Sequence, residues 1–167
     1  MPQPVIVQRT PHDKASGEEV ARRLAARGYV VVVQDIRGRY ESDGEWLWQF
    51  LPQAEVLDGP DGYDTVEWAA RLAGSDGRVG TWGHSYPSWC IWTMAKTAPP
   101  SLRAIFAGGM SVRHTQMNFG VFETARRLQW CYNMTPAARR RAGEAPELQP
   151  RAAADDLWHE LERGKWI

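Results

Sequence analysis

The chain has 167 residues, of which 43% are hydrophobic and 24% are charged, a composition that suits one soluble globular domain. Lys plus Arg number 20 and Asp plus Glu number 20, which excludes the positive excess that a nucleic-acid-binding protein normally carries. No apolar run approaches the roughly 20 residues that cross a bilayer, so we expect no membrane segment. The two cysteines, Cys90 and Cys131, form no metal-binding or disulfide pattern. The N-terminus lacks the features of a signal peptide, which predicts a cytoplasmic location if Met1 is the true start.

Strand and helix patterns alternate along the first 110 residues. Short apolar runs predict strands over residues 4–9, 29–35, 78–82 and 103–107. Helical spacing predicts helices that begin near Ser16, Asp61 and Tyr86, and residues 36–60 are expected to form a long loop. The second strand pattern has no polar alternation, which is typical of a central parallel strand covered on both faces. Four such alternations predict a parallel α/β sheet with right-handed crossovers.

The pattern changes after Met110. Two helical patterns remain, over residues 119–133 and 151–163, and no further strand is predicted. We therefore expect a core over residues 1–110 and a separate helical region over residues 111–167. The basic cluster at residues 139–141 is typical of a solvated helix face.

The most informative stretch runs from Val79 to Ser88, where a predicted strand passes through Gly83-x-Ser85 directly into a predicted helix. This context is typical of a nucleophile elbow, a strained turn that lifts a serine hydroxyl above the ends of the strands. Gly83 is required because the helix packs too closely on the turn to admit a Cβ atom. The N–H of Tyr86, the residue after the serine, then points toward the place where an oxyanion would form.

Other polar residues around this stretch have structural interpretations. His84 directly precedes the serine, so its side chain should project away from the serine and support the turn. The acidic residues Asp58, Asp61 and Asp64 lack metal-ligand spacing, and we interpret them as caps at the start of a helix.

Six segments follow one another in the order found in a known family: residues 9–14 (Arg-Thr-Pro-His-Asp-Lys), 34–38, 42–45, 61–68, 75–80 and 83–86. In this order the chain resembles the X-Pro dipeptidyl-peptidase and cocaine esterase-type family of α/β-hydrolases. The resemblance covers residues 4 to about 110 and departs from the family's elbow at Ser88, where glycine is usual. It implies a partial α/β-hydrolase sheet of about four parallel strands with flanking helices, followed by part of a helical cap.

By this resemblance, Ser85 is the acylated nucleophile and the N–H of Tyr86 is one oxyanion donor. The family's second donor is a tyrosine hydroxyl in a motif like Arg-Thr-Pro-Tyr-Asp-Lys, and His12 occupies that position here. An imidazole N–H also donates hydrogen bonds, which would add a pH dependence near the imidazole pKa. Alternatively, the oxyanion hole is weakened by a few kcal/mol, the usual cost of losing one donor. We expect His12→Tyr in a complete enzyme to retain or raise activity.

A serine nucleophile also needs a base and an orienting acid, which in α/β-hydrolases follow the serine in the order acid, then histidine. After Ser85 only His114 and His159 remain, and His159 shares a predicted helix with Asp155 and Asp156. Side chains three or four residues apart are typical of a pair on a helix surface rather than of a catalytic pair. We therefore expect an interior fragment, inactive alone, whose acid and base lie on later strands outside it.

These expectations describe a serine hydrolase that cleaves a carboxylic ester or an amide, including bonds after X-Pro, through an acyl-enzyme on Ser85. The substrate would be a small-molecule ester or a peptide, and no metal or organic cofactor is implied. One alternative is a non-catalytic α/β-hydrolase-like protein that keeps the elbow and works by binding. A second, a flavodoxin-like phosphate binder, needs a glycine-rich loop after the first strand, and residues 10–13 contain no glycine. The sequence does not indicate the oligomeric state.

Overall fold

The computed structural model describes residues 1–49 and 52–110, together with residues 117–118, 121–122, 130, 134 and 143. The chain divides into two compact units, Met1–His114 and Thr115–Ile167. None of the helices in the described ranges is long and apolar enough to cross a membrane.

Four parallel strands form the sheet of the first unit, in the order β2-β1-β3-β4. The strands are β1 (Gln3–Thr10), β2 (Val30–Asp35), β3 (Ser75–His84) and β4 (Leu102–Gly108). The connections contain a short 3-10 helix (Lys14–Gly17) and the helices α1 (Glu18–Ala25), α2 (Pro52–Ala70) and α3 (Tyr86–Ala95). The predicted parallel α/β architecture is confirmed, and each predicted strand is found at its expected place.

The core of the first unit lies around the inner strands β1 and β3. Its buried side chains are Val5, Val7, Val66, Ala69, Val79, Ile91 and Met94. Strand β2 lies at one edge of the described sheet, and its residues 30–34 are only half-buried. The expectation of a central position for β2 is therefore not met within the described residues. The reason is that an unbroken apolar run indicates that the two faces of a strand are covered by other elements. It does not indicate that the strand is paired along both of its edges.

Helix α2 begins earlier than the sequence predicts. The loop was expected to reach residue 60 because the segment is rich in Gly, Asp, Trp and Pro, yet α2 runs from Pro52 through Pro60, although a proline is unfavourable inside a helix. Tertiary contacts hold this part of the helix: Nη2 of Arg9 lies 3.0 Å from Oδ1 of Asp58, and Oγ1 of Thr93 donates to Oδ2 of Asp58 at 2.7 Å. These buried contacts outweigh the local cost of the proline.

The acidic residues interpreted as caps lie inside α2 instead. Asp58 is buried in an ion pair, Asp61 accepts a hydrogen bond from Nε of Arg37 at 2.7 Å, and Asp64 is exposed. The cap interpretation is wrong because the helix begins at Pro52. Across the described ranges, no group of three or more His, Cys, Asp or Glu side chains is placed to hold a metal ion.

The described part of the second unit contains two short antiparallel strands, β5 (Met117–Asn118) and β6 (Val121–Phe122). The prediction that no strand follows Met110 is wrong here, as is the predicted helix start at residue 119. The helix over residues 151–163 and the basic cluster at residues 139–141 lie outside the described residues.

Candidate active site

Ser85 lies at the junction of β3 and α3, at the carboxyl end of the sheet. Its backbone has φ 63° and ψ −124°, a conformation that residues with side chains rarely adopt. Hydrogen bonds hold it on both sides: the Ser85 N–H donates to the Gly108 carbonyl at 2.8 Å, and the Ser85 carbonyl accepts from the Ser88 N–H at 2.9 Å. The residue is exposed. A strained turn with an exposed serine at this place is what a nucleophile elbow requires.

Two small residues let α3 approach this turn. A Cβ atom at Gly83 would lie 2.7 Å from Cβ and 2.8 Å from the carbonyl carbon of Pro87, so the predicted need for glycine is confirmed. Ser88 is fully buried, and its Oγ lies 2.8 Å from the carbonyl oxygen of Gly83 and 2.6 Å from that of Gly108. Its single proton donates to one of them at a time, which ties the ends of β3 and β4 to α3. The sequence indicated only that Ser88 is small.

The N–H of Tyr86 belongs to the first turn of α3. Pro87 has no N–H, and the N–H groups of Ser88 and Trp89 both donate to the carbonyl of Ser85, at 2.9 and 3.3 Å. An anion at the start of α3 would therefore meet the N–H of Tyr86, at the positive end of the helix dipole. Burial raises the pKa of the Tyr86 phenol further above its usual range, so this side chain stays protonated at neutral pH.

His12 lies on the turn that follows β1, the strand next to β3. Its N–H donates to Oγ1 of Thr10 at 3.1 Å, and its ring meets the ring of Tyr86 edge to face with the centroids 6.3 Å apart. His12 is exposed at the surface, but protein atoms replace water around part of its ring. This desolvation lowers the pKa of His12, and the charge of Arg39 lowers it further. The structure thus brings His12 and Tyr86, two of the three predicted site residues, into contact.

The ring of His84 packs against the backbone of Gly109, where an added Cβ atom would lie 2.5 Å from Nε2 of His84. This agrees with a supporting role for His84 in the turn. His12 and His84 are the histidines of the described residues, and neither ring is hydrogen-bonded there to a carboxylate. The other acid and base candidates lie outside the described residues: His114, Asp155, Asp156 and His159.

A buried ion pair joins β1 to α2. Nη2 of Arg9 pairs with the carboxylate of Asp58. In addition, Nη1 of Arg9 donates to the carbonyl of Asp58 at 3.0 Å, and Nε donates to Oε1 of Gln34 at 3.0 Å. Burial by itself lowers the pKa of Arg9, but the carboxylate of Asp58 raises it, and the net shift is upward. The sequence analysis missed this pair, since a charged residue near the end of a strand gives no sign of its partner. The pair anchors the strand that leads to His12.

A parallel sheet with crossover helices and a strained serine turn defines the α/β-hydrolase class of folds. Solved structures share this fold. An aminopeptidase from a marine sediment archaeon of the Thaumarchaeota matches with a TM-score of 0.66 and 24% identity, over 80% of this chain and 26% of that one. A CocE/NonD family hydrolase from Staphylococcus aureus matches with a TM-score of 0.65 and 23% identity, over 82% of this chain and 28% of that one.

The sequence model of the X-Pro dipeptidyl-peptidase (S15) family matches residues 1–167, and the chain belongs to this family. Cocaine esterase from Rhodococcus sp. (strain MB1 Bresler) is 34% identical over 110 residues, which are 62% of this chain and 18% of the esterase. The chain therefore spans less than a fifth of that relative's length. The predicted family and the predicted α/β-hydrolase fold are confirmed.

Proposed function

We propose that this chain carries the nucleophile of a serine hydrolase, which cleaves a carboxylic ester or an amide through an acyl-enzyme on Ser85. The observation that carries the proposal is that Ser85 is exposed and that its backbone is held at positive φ between a parallel strand and a helix. The relatives support the same chemistry, since one is named an esterase and the family is described as X-Pro dipeptidyl-peptidases. The substrate would accordingly be a small-molecule ester or a peptide.

The reaction follows from the groups at the two turns. Oγ of Ser85 attacks the acyl carbon while a base takes its proton, and the carbonyl oxygen becomes an oxyanion. The N–H of Tyr86 and a ring N–H of His12 donate to this oxyanion. The bond to the leaving group then breaks, the leaving group takes the proton from the base, and water later hydrolyses the acyl-enzyme to release Ser85.

The base and its orienting acid would come from polypeptide outside the described residues, because His84 is packed against Gly109 and His12 is assigned to the oxyanion hole. We expect strands of a longer chain to supply both groups, and His114 and His159 are the alternatives for the base alone. We expect the 167-residue chain by itself to be inactive as a hydrolase. The cytoplasmic location stays a prediction from the N-terminal sequence.

The test is labelling of Ser85 by a fluorophosphonate probe in the protein expressed from the complete reading frame that contains these residues. Mass spectrometry should find the probe on the peptide with Ser85, and Ser85→Ala should abolish labelling. Ser75→Ala is a matched control, since Ser75 lies on the same strand at the opposite end of the sheet and accepts a hydrogen bond from the Gly77 N–H. It should leave labelling unchanged.

The rival function is a non-catalytic protein that keeps the fold and binds its ligand. It is favoured by one observation, that neither described histidine ring is hydrogen-bonded to a carboxylate within the described residues. A complete protein that folds and stays unlabelled at Ser85 would favour this rival and overturn the hydrolase.

A further inference from the structure

Arg39 is among the most deeply buried side chains of the described residues, with 1% of its surface exposed, although arginine normally keeps its charge in water. Its Nε donates to the carbonyl of Pro11 at 2.9 Å. Its guanidinium carbon lies 4.6 Å from the ring centroid of Trp46 and 5.2 Å from that of Tyr40, within the range of cation–π attraction. The sequence gives no sign of this burial, since Arg39 lies in a loop rich in charged and glycine residues.

The contact with Pro11 matters because the turn beyond it is strained. Asp13 has φ 76°, a backbone conformation that persists only where surrounding contacts hold it. The two residues before it therefore need to be held in place from the side of β1. On the far side, the N–H of Lys14 donates to Oδ1 of the buried Asp35 at 2.7 Å. His12 therefore sits between two anchors, Arg39 before it and Asp35 after it.

We propose that Arg39 is a positioning residue for His12, holding the turn through the Pro11 carbonyl and keeping a second positive charge off the imidazole. The inference rests on the proposed function, in which His12 donates to the oxyanion. A neutral imidazole has one ring N–H, and a fixed turn directs it. A donor that is already held in place costs no reorganisation when the oxyanion forms.

Electrostatics support this role. Among the described residues, the groups that act on His12 from other elements are the guanidinium of Arg39 and the ring of Tyr86. On the turn itself, Asp13 accepts from the Ala15 N–H at 2.9 Å, and Lys14 is paired with Asp35. After desolvation, Arg39 is the second cause of the lowered pKa of His12. Its charge thus favours the neutral ring.

The test is an NMR titration of the His12 ring in the 167-residue chain, with the resonance assigned by its loss in His12→Gln. Arg39→Met removes the charge at similar length and should shift the His12 pKa upward, while Arg39→Lys should keep it lowered. Arg37→Met is the matched control: Arg37 lies on the same loop, is exposed, and pairs with Asp61. It should leave the titration unchanged.

A folded Arg39→Met variant whose His12 titrates as in the parent chain would overturn the inference. If Arg39→Met does not fold, Arg39→Gln, which keeps a donor for the Pro11 carbonyl without the charge, answers the same question.

The titration of His12 does not depend on catalysis. An upward shift in a protein whose Ser85 stays unlabelled would therefore reject the hydrolase and leave the link between Arg39 and His12 standing. In an active complete protein, Arg39→Met should lower kcat with KM unchanged, because the oxyanion exists only after attack.

Discussion

The outer strands of the described sheet, β2 and β4, are more apolar in sequence than the inner strands β1 and β3, yet they are less buried. Val5 of β1 and Val79 of β3 are 0% exposed, whereas Phe106 of β4 is 70% exposed. Both turns of the proposed site follow inner strands, with His12 after β1 and Ser85 after β3. Strained backbone persists only where its surroundings hold it. The two strained turns are therefore attached to the best-packed part of the sheet.

Apart from the loss of Ser85 itself, the largest effect should come from the turn after β1. His12→Ala removes one oxyanion donor and should lower kcat of the complete protein about 10²- to 10³-fold on an activated ester. His12→Tyr supplies a phenol O–H in the same turn and should retain or raise kcat. A loss of about tenfold or more in the tyrosine variant would show that His12 is itself the adapted donor. Unchanged activity in His12→Ala would show that this turn takes no part in the reaction.

The turn after β3 should be the next most sensitive place. Gly83→Ala puts a Cβ atom 2.7 Å from Cβ of Pro87, against a helix backbone that cannot move aside, and should destabilise the fold by about 1–3 kcal/mol. The control is Gly80→Ala on the same strand, where the nearest atom is the flexible Cδ1 of Ile6 at 3.1 Å. Urea unfolding of both variants measures the difference. Equal losses would contradict the close approach at Gly83.

The smallest effects should come from valine truncations that compare the stability of an inner strand with that of an outer strand. Val5 and Val30 are partners in the register of β1 and β2, but Val5 is fully buried and Val30 is half-buried. Val5→Ala should cost about 2 kcal/mol of unfolding free energy and Val30→Ala about 1 kcal/mol, since less surface is returned to water at Val30. Equal costs in chemical denaturation would remove the distinction between the strands.

Much of the fold was predictable because it depends on short patterns. The four strands follow apolar runs, and the order of motifs over the first 110 residues identified the family that the comparison confirms. The need for Gly83 followed from the strand–turn–helix context alone. Position in the sheet was not predictable in this way: the valine run of β2 suggested a central strand, and the strand lies at an edge of the described sheet.

Side-chain partners distant in sequence explain the other differences. The start of α2 was misplaced because the Gly, Asp, Trp and Pro content of residues 36–60 is typical of a loop, while the ion pair of Asp58 with Arg9, 49 residues away, holds part of that segment helical. The hydroxyl of Ser88 bonds to carbonyls of β3 and β4, and no local pattern distinguishes such a serine from one chosen only for its size.

By itself, the sequence determined the alternation of strands and helices, the family, and the serine turn that the proposed function uses. The elements and the serine turn depend on residues within a few positions of one another, where backbone preference and apolar spacing act, and the family follows from the order of such short segments along the chain. Only the tertiary structure decided that Arg39 is buried against the turn of His12 and that His12 meets the ring of Tyr86. A buried charge and an exposed one are the same residue in a sequence, and what separates them is the packing of elements far apart along the chain.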